Sequence, residues 1–194
     1  MESSLWEQGL RNYFPAFVCL GSAGLLLSPD ASPIAMFFGV SLVHIWVYLV
    51  HRGLHLLPDL FAPINTHITY HHQAPPKTLP RWLELTFEFL VDMTMILSLW
   101  GVQWLTGITV VPTPMILLFA LAYSSVHLIQ YSLIGSETHR IHHELKVYNY
   151  APDYVDHLFG TNYSNDLENT NWFIPNIVGS LLLLWPFRKA IRLL

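Results

Sequence analysis

His139-Arg140-Ile141-His142-His143 places three imidazoles at i, i+3 and i+4, positions that an α-helix brings to one face within a single turn. Neutral imidazole is the commonest side-chain metal ligand, and packing alone gives no reason to gather three of them. Two further boxes precede it, His51-Arg52-Gly53-Leu54-His55 and His67-Ile68-Thr69-Tyr70-His71-His72. The repetition turns one oddity into a design in which helical segments deliver ligands to a shared site.

Working outward, the boxes are separated by long apolar stretches. The chain of 194 residues is 53% hydrophobic and 11% charged, with a mean hydropathy of +0.40, whereas a soluble domain carries about a quarter charged residues. This is the composition of a membrane protein. Eleven histidines outnumber the nine lysines and arginines, so imidazole is not general surface polarity here. The single cysteine, Cys19, excludes a disulfide framework, a thiolate zinc site and an iron-sulfur cluster, leaving nitrogen and oxygen as ligands. A net charge of -4 without a basic stripe argues against nucleic acid as a partner. Met1-Glu2-Ser3-Ser4 lacks the basic start of a secretory signal, so the first apolar segment is expected to stay in the membrane.

The predicted architecture is a single all-α integral-membrane domain over 1–194 with four transmembrane helices, at about 14–27, 34–50, 85–105 and 110–134. A histidine-rich helical cap comprises 51–84 and 135–176, and 177–187 is too short to span and reads as interfacial. His44, Tyr48, His51 and His55 form one polar stripe on the second helix. All nine basic residues fall at the termini or in the two segments that carry the boxes, and none in 28–33 or 106–114. The positive-inside rule therefore places both termini and the metal site in the cytosol. On that topology the sequon Asn162-Tyr163-Ser164 stays unused. The aromatics, including Trp46, Trp100, Trp104 and Trp185, read as interface or lipid contacts.

Nine histidines, His51, His55, His67, His71, His72, His127, His139, His142 and His143, are too many for one ion and suit two five- or six-coordinate ions. Iron matches nitrogen-rich ligation with open positions for an oxygen species, and zinc is the alternative occupant in purified protein. Glu84, Glu88 and Asp92 recur at four-residue spacing at the start of the third span. Glu84 reads as favourable charge at a helix N-terminus, and the deeper pair as acceptors of an imidazole N–H. His44 reads as a buried, hydrogen-bonded histidine beyond direct ligation. His157, beside Asp156, stays open between an extra ligand and a structural role.

These residues carry a resemblance. The chain resembles the fatty acid hydroxylase and sterol desaturase superfamily of membrane di-iron oxygenases over roughly 40–161. The match rests on His51-x-x-x-His55 followed by Leu57-Pro58, a His-His pair followed by Pro75, His139-x-x-His142-His143, and Asn149-Tyr150 with Asp156-His157-Leu158-Phe159-Gly160-Thr161. Three residues separate His67 from His71 where the family usually has two. Tyr123 stands where some members carry a further histidine, and Ala151 stands where glycine is usual. The resemblance implies two irons, dioxygen as co-substrate and a membrane lipid (fatty acyl, sphingoid or sterol) that is hydroxylated or desaturated. It also implies an electron donor such as cytochrome b5 with its reductase or a ferredoxin, and residence in the endoplasmic reticulum if the source is eukaryotic. Other readings are a metal-transporting membrane protein, a di-haem carrier and an inactive homologue. Transport would need ligands near the bilayer midplane, and haem would need opposed histidines within the spans.

Overall fold

The structure, a computed structural model, describes residues 4–61, 65, 67–72 and 80–193. Pro75 and Lys77, both used in the sequence reading, lie outside them. Every regular element among the described residues is helical, and four helices are long and apolar enough to cross a membrane: α1 Leu5–Leu27, α2 Pro33–Leu56, α3 Arg81–Thr106 and α4 Thr113–Ile134. Three shorter helices follow, α5 Glu137–Leu145, α6 Asp153–Phe159 and α7 Ile174–Leu184.

Prolines punctuate the chain. Pro33 opens α2, Pro80 and Pro112 cap α3 and α4, and Pro175 sits in the first turn of α7, where a missing N–H costs nothing. α1 begins at Leu5 rather than at Phe14. Ser4 Oγ accepts the Glu7 N–H at 3.3 Å and the Glu7 carboxylate accepts the Ser4 N–H at 2.9 Å, a reciprocal cap ahead of the apolar run. α2 likewise continues past Val50 through the whole first box, because nothing breaks it before Leu57-Pro58.

α4 is the central rod, packed against α1, α2, α3 and α7. The core joins Val40, Val43 and Val47 of α2, Ile96 and Leu99 of α3, and Met115, Ile116 and Phe119 of α4. α1 and α2 approach closely at Gly21, where an added Cβ would lie 2.2 Å from the Phe37 ring. Trp46 does not face lipid alone: its indole N–H donates to Ser98 Oγ at 3.0 Å and ties α2 to α3. The α3–α4 turn is closed by buried Gln103, whose Oε1 accepts the Val110 and Val111 N–H groups (2.8 Å each) while its Nε2 donates to the Val111 carbonyl at 2.9 Å. These bonds satisfy backbone groups that a bilayer would leave unpaired.

The C-terminal segment corrects the expected topology. Segment 177–187, expected at the interface, contains most of α7, which packs lengthwise on α1 and α4. It starts at the histidine end, where Thr170 Oγ1 donates to the Asn12 carbonyl at 2.7 Å and Asn171 Nδ2 to the Arg11 carbonyl at 2.9 Å. After a tight turn at Trp185–Phe187 the chain ends in Arg188–Ile191, and Arg192 Nε donates to the Leu27 carbonyl at 2.8 Å with its guanidinium 3.9 Å from Asp30. The chain thus traverses the bundle a fifth time, and its two ends lie at opposite ends of the bundle. Arg188, Lys189 and Arg192 leave the side on which the charge count had put them. The count treated a short helix as unable to cross, whereas α7 and the terminal turns together make the passage.

Candidate metal centre

Four elements bring imidazoles to one end of the bundle. The last turns of α2 supply His51 and His55; His67 and the wide turn Ile68–His72 supply the middle box. The widened final turns of α4, His127–Ile134, begin with buried His127, and α5 supplies His139, His142 and His143. Ser136 fixes the start of α5: its Oγ accepts the His139 N–H at 3.5 Å and donates to Glu168 at 2.9 Å.

All nine histidines singled out in the sequence meet there, in overlapping groups whose ligand atoms lie within 4.8 Å of one another. His51, His55, His67, His72 and His142 form the first; His71, His72 and His143, and then His71, His127 and His139, continue from it, so that His72 and His71 are the links. Beyond them His127 groups with Glu88 and Asp92. The cluster is therefore elongated, with five histidines at one end and a carboxylate-backed set at the other.

The nitrogens suit metal ions. Nε2 of His67 lies 3.3 Å from that of His55 and 3.1 Å from that of His72; His142 and His72 are 3.2 Å apart, and His143 and His71 3.0 Å. Two nitrogens bound to one ion at about 2.1 Å and separated by 90–110° lie about 3.0–3.4 Å apart. His51 Nε2, His67 Nδ1 and His72 Nδ1 are buried without a hydrogen-bond partner among the described residues. The tautomers agree as well. His51 Nδ1 lies 2.5 Å from the Tyr150 carbonyl and His142 Nδ1 2.7 Å from that of Tyr148. A carbonyl only accepts, so each Nδ1 carries the hydrogen and each Nε2 turns a lone pair inward.

Burial, and then the proximity of other imidazoles, holds His67, His71, His72 and His139 well below the usual histidine range. Burial also lowers His142 to about 3 and His143 to about 4. These six histidines are therefore neutral at physiological pH, the form that binds metal.

The carboxylates sit behind the second set. Glu88 Oε1 accepts the His127 Nδ1–H at 3.1 Å, takes a hydrogen bond from Ser132 Oγ and lies 3.9 Å from His71 Nδ1. Asp92 Oδ2 is 3.0 Å from the same His127 nitrogen but without a directed hydrogen bond. Glu88 and Asp92 thus both face the His127 ring.

The other candidates stand apart from the cluster. Glu84 pairs with Arg81 at 3.2 Å in the first turn of α3, as a helix-start charge does. His44 Nδ1 meets the Tyr154 hydroxyl at 3.1 Å, in a wall of Phe17 and Phe119. His157 lies 4.0 Å from Asp153, and its buried Nε2 finds no partner among the described residues. Asp156 touches no imidazole nitrogen. It accepts the Tyr150 and Ala151 N–H groups (2.9 and 2.7 Å) and the Thr161 hydroxyl (2.7 Å), and so holds the carbonyl that His51 uses. Burial pushes its carboxyl up to about 7 against the pull of these donors. The Phe159-Gly160-Thr161 tail completes this brace: Phe159 stacks on Tyr48 at 4.9 Å, Gly160 turns the chain at φ +69°, and Thr161 Oγ1 lies 3.0 Å from the Tyr48 hydroxyl.

Two residues escaped the sequence reading. Tyr131 stacks on His139 at 4.8 Å and donates its hydroxyl to Glu168 at 3.0 Å. Its place one turn after His127 was the available signal; Glu168, in a polar loop, offered none.

Neither a curated protein nor a solved structure gives a match. The profile of the family described as Fatty acid hydroxylase matches residues 36–161, from early α2 to the Thr161 of the brace, a stretch that contains all nine clustered histidines. With its boxes, its helical membrane-type frame and its bracing tail in that stretch, the chain belongs to the fatty acid hydroxylase family.

Proposed function

We propose that this chain is an oxygen-dependent di-iron oxidoreductase that hydroxylates or desaturates a C–H bond of a membrane lipid. The observation that carries the reading is the convergence of nine imidazoles, in overlapping groups whose ligand atoms lie within 4.8 Å of one another, at one end of an apolar helical bundle. His51, His55, His67, His72 and His142 would hold one iron, and His71, His127, His139 and His143 the other. Such a pair supplies activation of dioxygen, with electrons delivered by a cytochrome b5 and its reductase or by a ferredoxin.

The protein's own work is positioning. The Tyr148 and Tyr150 carbonyls orient His142 and His51, Glu88 takes the His127 N–H, and Tyr131 presses on His139. Outer partners of this kind typically contribute 10–100-fold in metal affinity. Tyr123 and Tyr131 separate the cluster from an apolar cavity between α1, α4 and α7, the side from which hydrocarbon can approach without water. The positive charge kept at the histidine end, Arg11, Arg52, Arg81, Arg140 and Lys146, supports a cytosolic placement of the metal site, at the endoplasmic reticulum in a eukaryotic cell.

The test is expression in a host lacking lipid hydroxylases, with lipidomics of wild type beside His142→Ala. A new hydroxylated or unsaturated sterol, sphingoid base or acyl chain in wild type alone supports the reading. Identical profiles in wild type, variant and empty vector refute it. One zinc per chain after iron-replete, anaerobic purification would refute the two-iron assignment.

A further inference from the structure

Three hollows line up between the lipid-facing surface and the histidine cluster. The outermost is a groove of about 310 Å³ between the start of α1 and α2, walled by Leu5, Trp6, Leu10 and Phe14. All four side chains are exposed, and Trp6 is 74% so, as befits a site at the bilayer interface. Behind it lies a chamber of about 70 Å³, lined by Ala16 and Leu20 of α1, Phe119 and Ala122 of α4, and Ile177 of α7. Beyond the chamber a pocket of about 10 Å³, room for one small group, touches His51, His127 and His139.

Neighbouring hollows share walls. Tyr13 and Phe17 line both groove and chamber; Tyr123, Tyr131 and Ala151 line both chamber and inner pocket. The first partition is latched by a hydrogen bond, from α6 to α2, between the Tyr154 hydroxyl and His44 Nδ1. Tyr154 also meets the Tyr13 ring edge-on at 5.2 Å. This explains His44, a polar residue deep in an apolar helix that takes no place in the metal groups. The chamber lining contains no Asp, Glu, Lys or Arg, so a lipid headgroup has no counterpart inside. Its width between facing rings and helices is set by two alanines, Ala16 and Ala122.

We propose that the groove, the Tyr13–Phe17–His44–Tyr154 partition and the alanine-lined chamber form a lateral route by which one unbranched acyl chain passes from the bilayer to the histidine cluster, its headgroup remaining at the interface beside Trp6. The route rests on the oxidoreductase reading for its purpose, not for its occupancy. Its narrowness selects a single hydrocarbon chain against the fused rings of a sterol. Opening requires the Tyr154–His44 hydrogen bond to break and the partition rings to turn.

The test uses the full chain in phosphatidylcholine vesicles, with a palmitic acid carrying a mid-chain photoreactive diazirine. Labelled peptides are mapped by mass spectrometry. Saturable labelling of peptides containing Ala16–Leu20 and Phe119–Tyr123, displaced by palmitate and not by cholesterol, is expected. Ala122→Phe fills the chamber and should cut that labelling at least tenfold while metal content and groove labelling persist. Phe17→Ala opens the partition and should raise chamber labelling several-fold, a gain that misfolding cannot produce. Labelling spread over the lipid-facing surface and insensitive to both variants overturns the route, and equal displacement by cholesterol overturns its selectivity. Lipid oxidation by Ala122→Phe at the wild-type rate, with labelling lost, overturns the route and leaves the oxidoreductase reading standing. Saturable chamber labelling with no lipid oxidised in the host sinks the oxidoreductase reading and leaves the route.

Discussion

His127→Ala should destabilise the metal-free protein far more than removal of a histidine at the cluster's edge. Its Nδ1 lies 3.1 Å from Glu88 and 3.0 Å from Asp92, whose side chains are 10% and 1% exposed. No Lys or Arg pairs with either carboxylate among the described residues, and besides His127 Glu88 keeps the Ser132 hydroxyl and a distant His71 nitrogen, while Asp92 keeps no hydrogen bond. Removing the imidazole leaves two buried acids facing each other. Breaking a buried pair by deleting one partner costs about 3–5 kcal/mol. At about 2–4 °C per kcal/mol for a chain of this size, the midpoint of thermal unfolding should fall by roughly 6–20 °C. His55→Ala, at the half-buried edge of the cluster and with no acid beside it, should cost about 1 kcal/mol. Adding Asp92→Asn to His127→Ala removes one stranded charge and should restore part of the loss, a coupling that a double-mutant cycle reads directly. The assay is thermal unfolding of the four proteins in detergent after chelation. A drop for His127→Ala no larger than that for His55→Ala, or no recovery in the double variant, would refute the claim that His127 compensates these acids.

Acidification should loosen the cap. A histidine held below its unfolded value of about 6.5 adds stability that is fully present above that pH and is lost as pH falls toward the folded value. For His142, with a folded value of about 3, the loss is about 1.4 kcal/mol per pH unit between these limits. Protection factors of the α5 amides, taken against the intrinsic exchange rate at each pH, should therefore fall between pH 6.5 and 4, and unchanged protection would refute a neutral His142. Gln103→Leu should cost about 2–4 kcal/mol by orphaning the Val110 and Val111 N–H groups and the Val111 carbonyl, visible as a lowered unfolding midpoint; an unchanged midpoint would show that water reaches the turn. Ala151→Gly should raise stability by up to about 1 kcal/mol, because Ala151 sits at φ +57°, in the left-handed region. A lowered midpoint would show that the loop tolerates alanine there without strain.

The apolar runs, the prolines before helices and the three boxes made the helical membrane frame legible, because span length and helical spacing are local properties. The nine clustered histidines were legible for the same reason: their type and repetition marked them before any contact was known. Helix limits were less so. α1 starts at Leu5 because of the Ser4–Glu7 cap, and α2 runs through the first box because no breaker intervenes.

What the sequence by itself determined is the inventory: an all-helical apolar chain, nine histidines at metal-ligand spacing and the family that carries them. Only the tertiary structure decided how that inventory divides. It placed Glu88 and Asp92 behind His127, gave His51 and His142 backbone carbonyls for partners, and sent His44 to the Tyr154 hydroxyl. It also carried α7 and the terminal turns across the bundle, separating the two ends of the chain. Each of these depends on residues far apart in sequence meeting across packed helices, as His44 meets Tyr154 and Arg192 meets Leu27, and no local spacing encodes such a meeting.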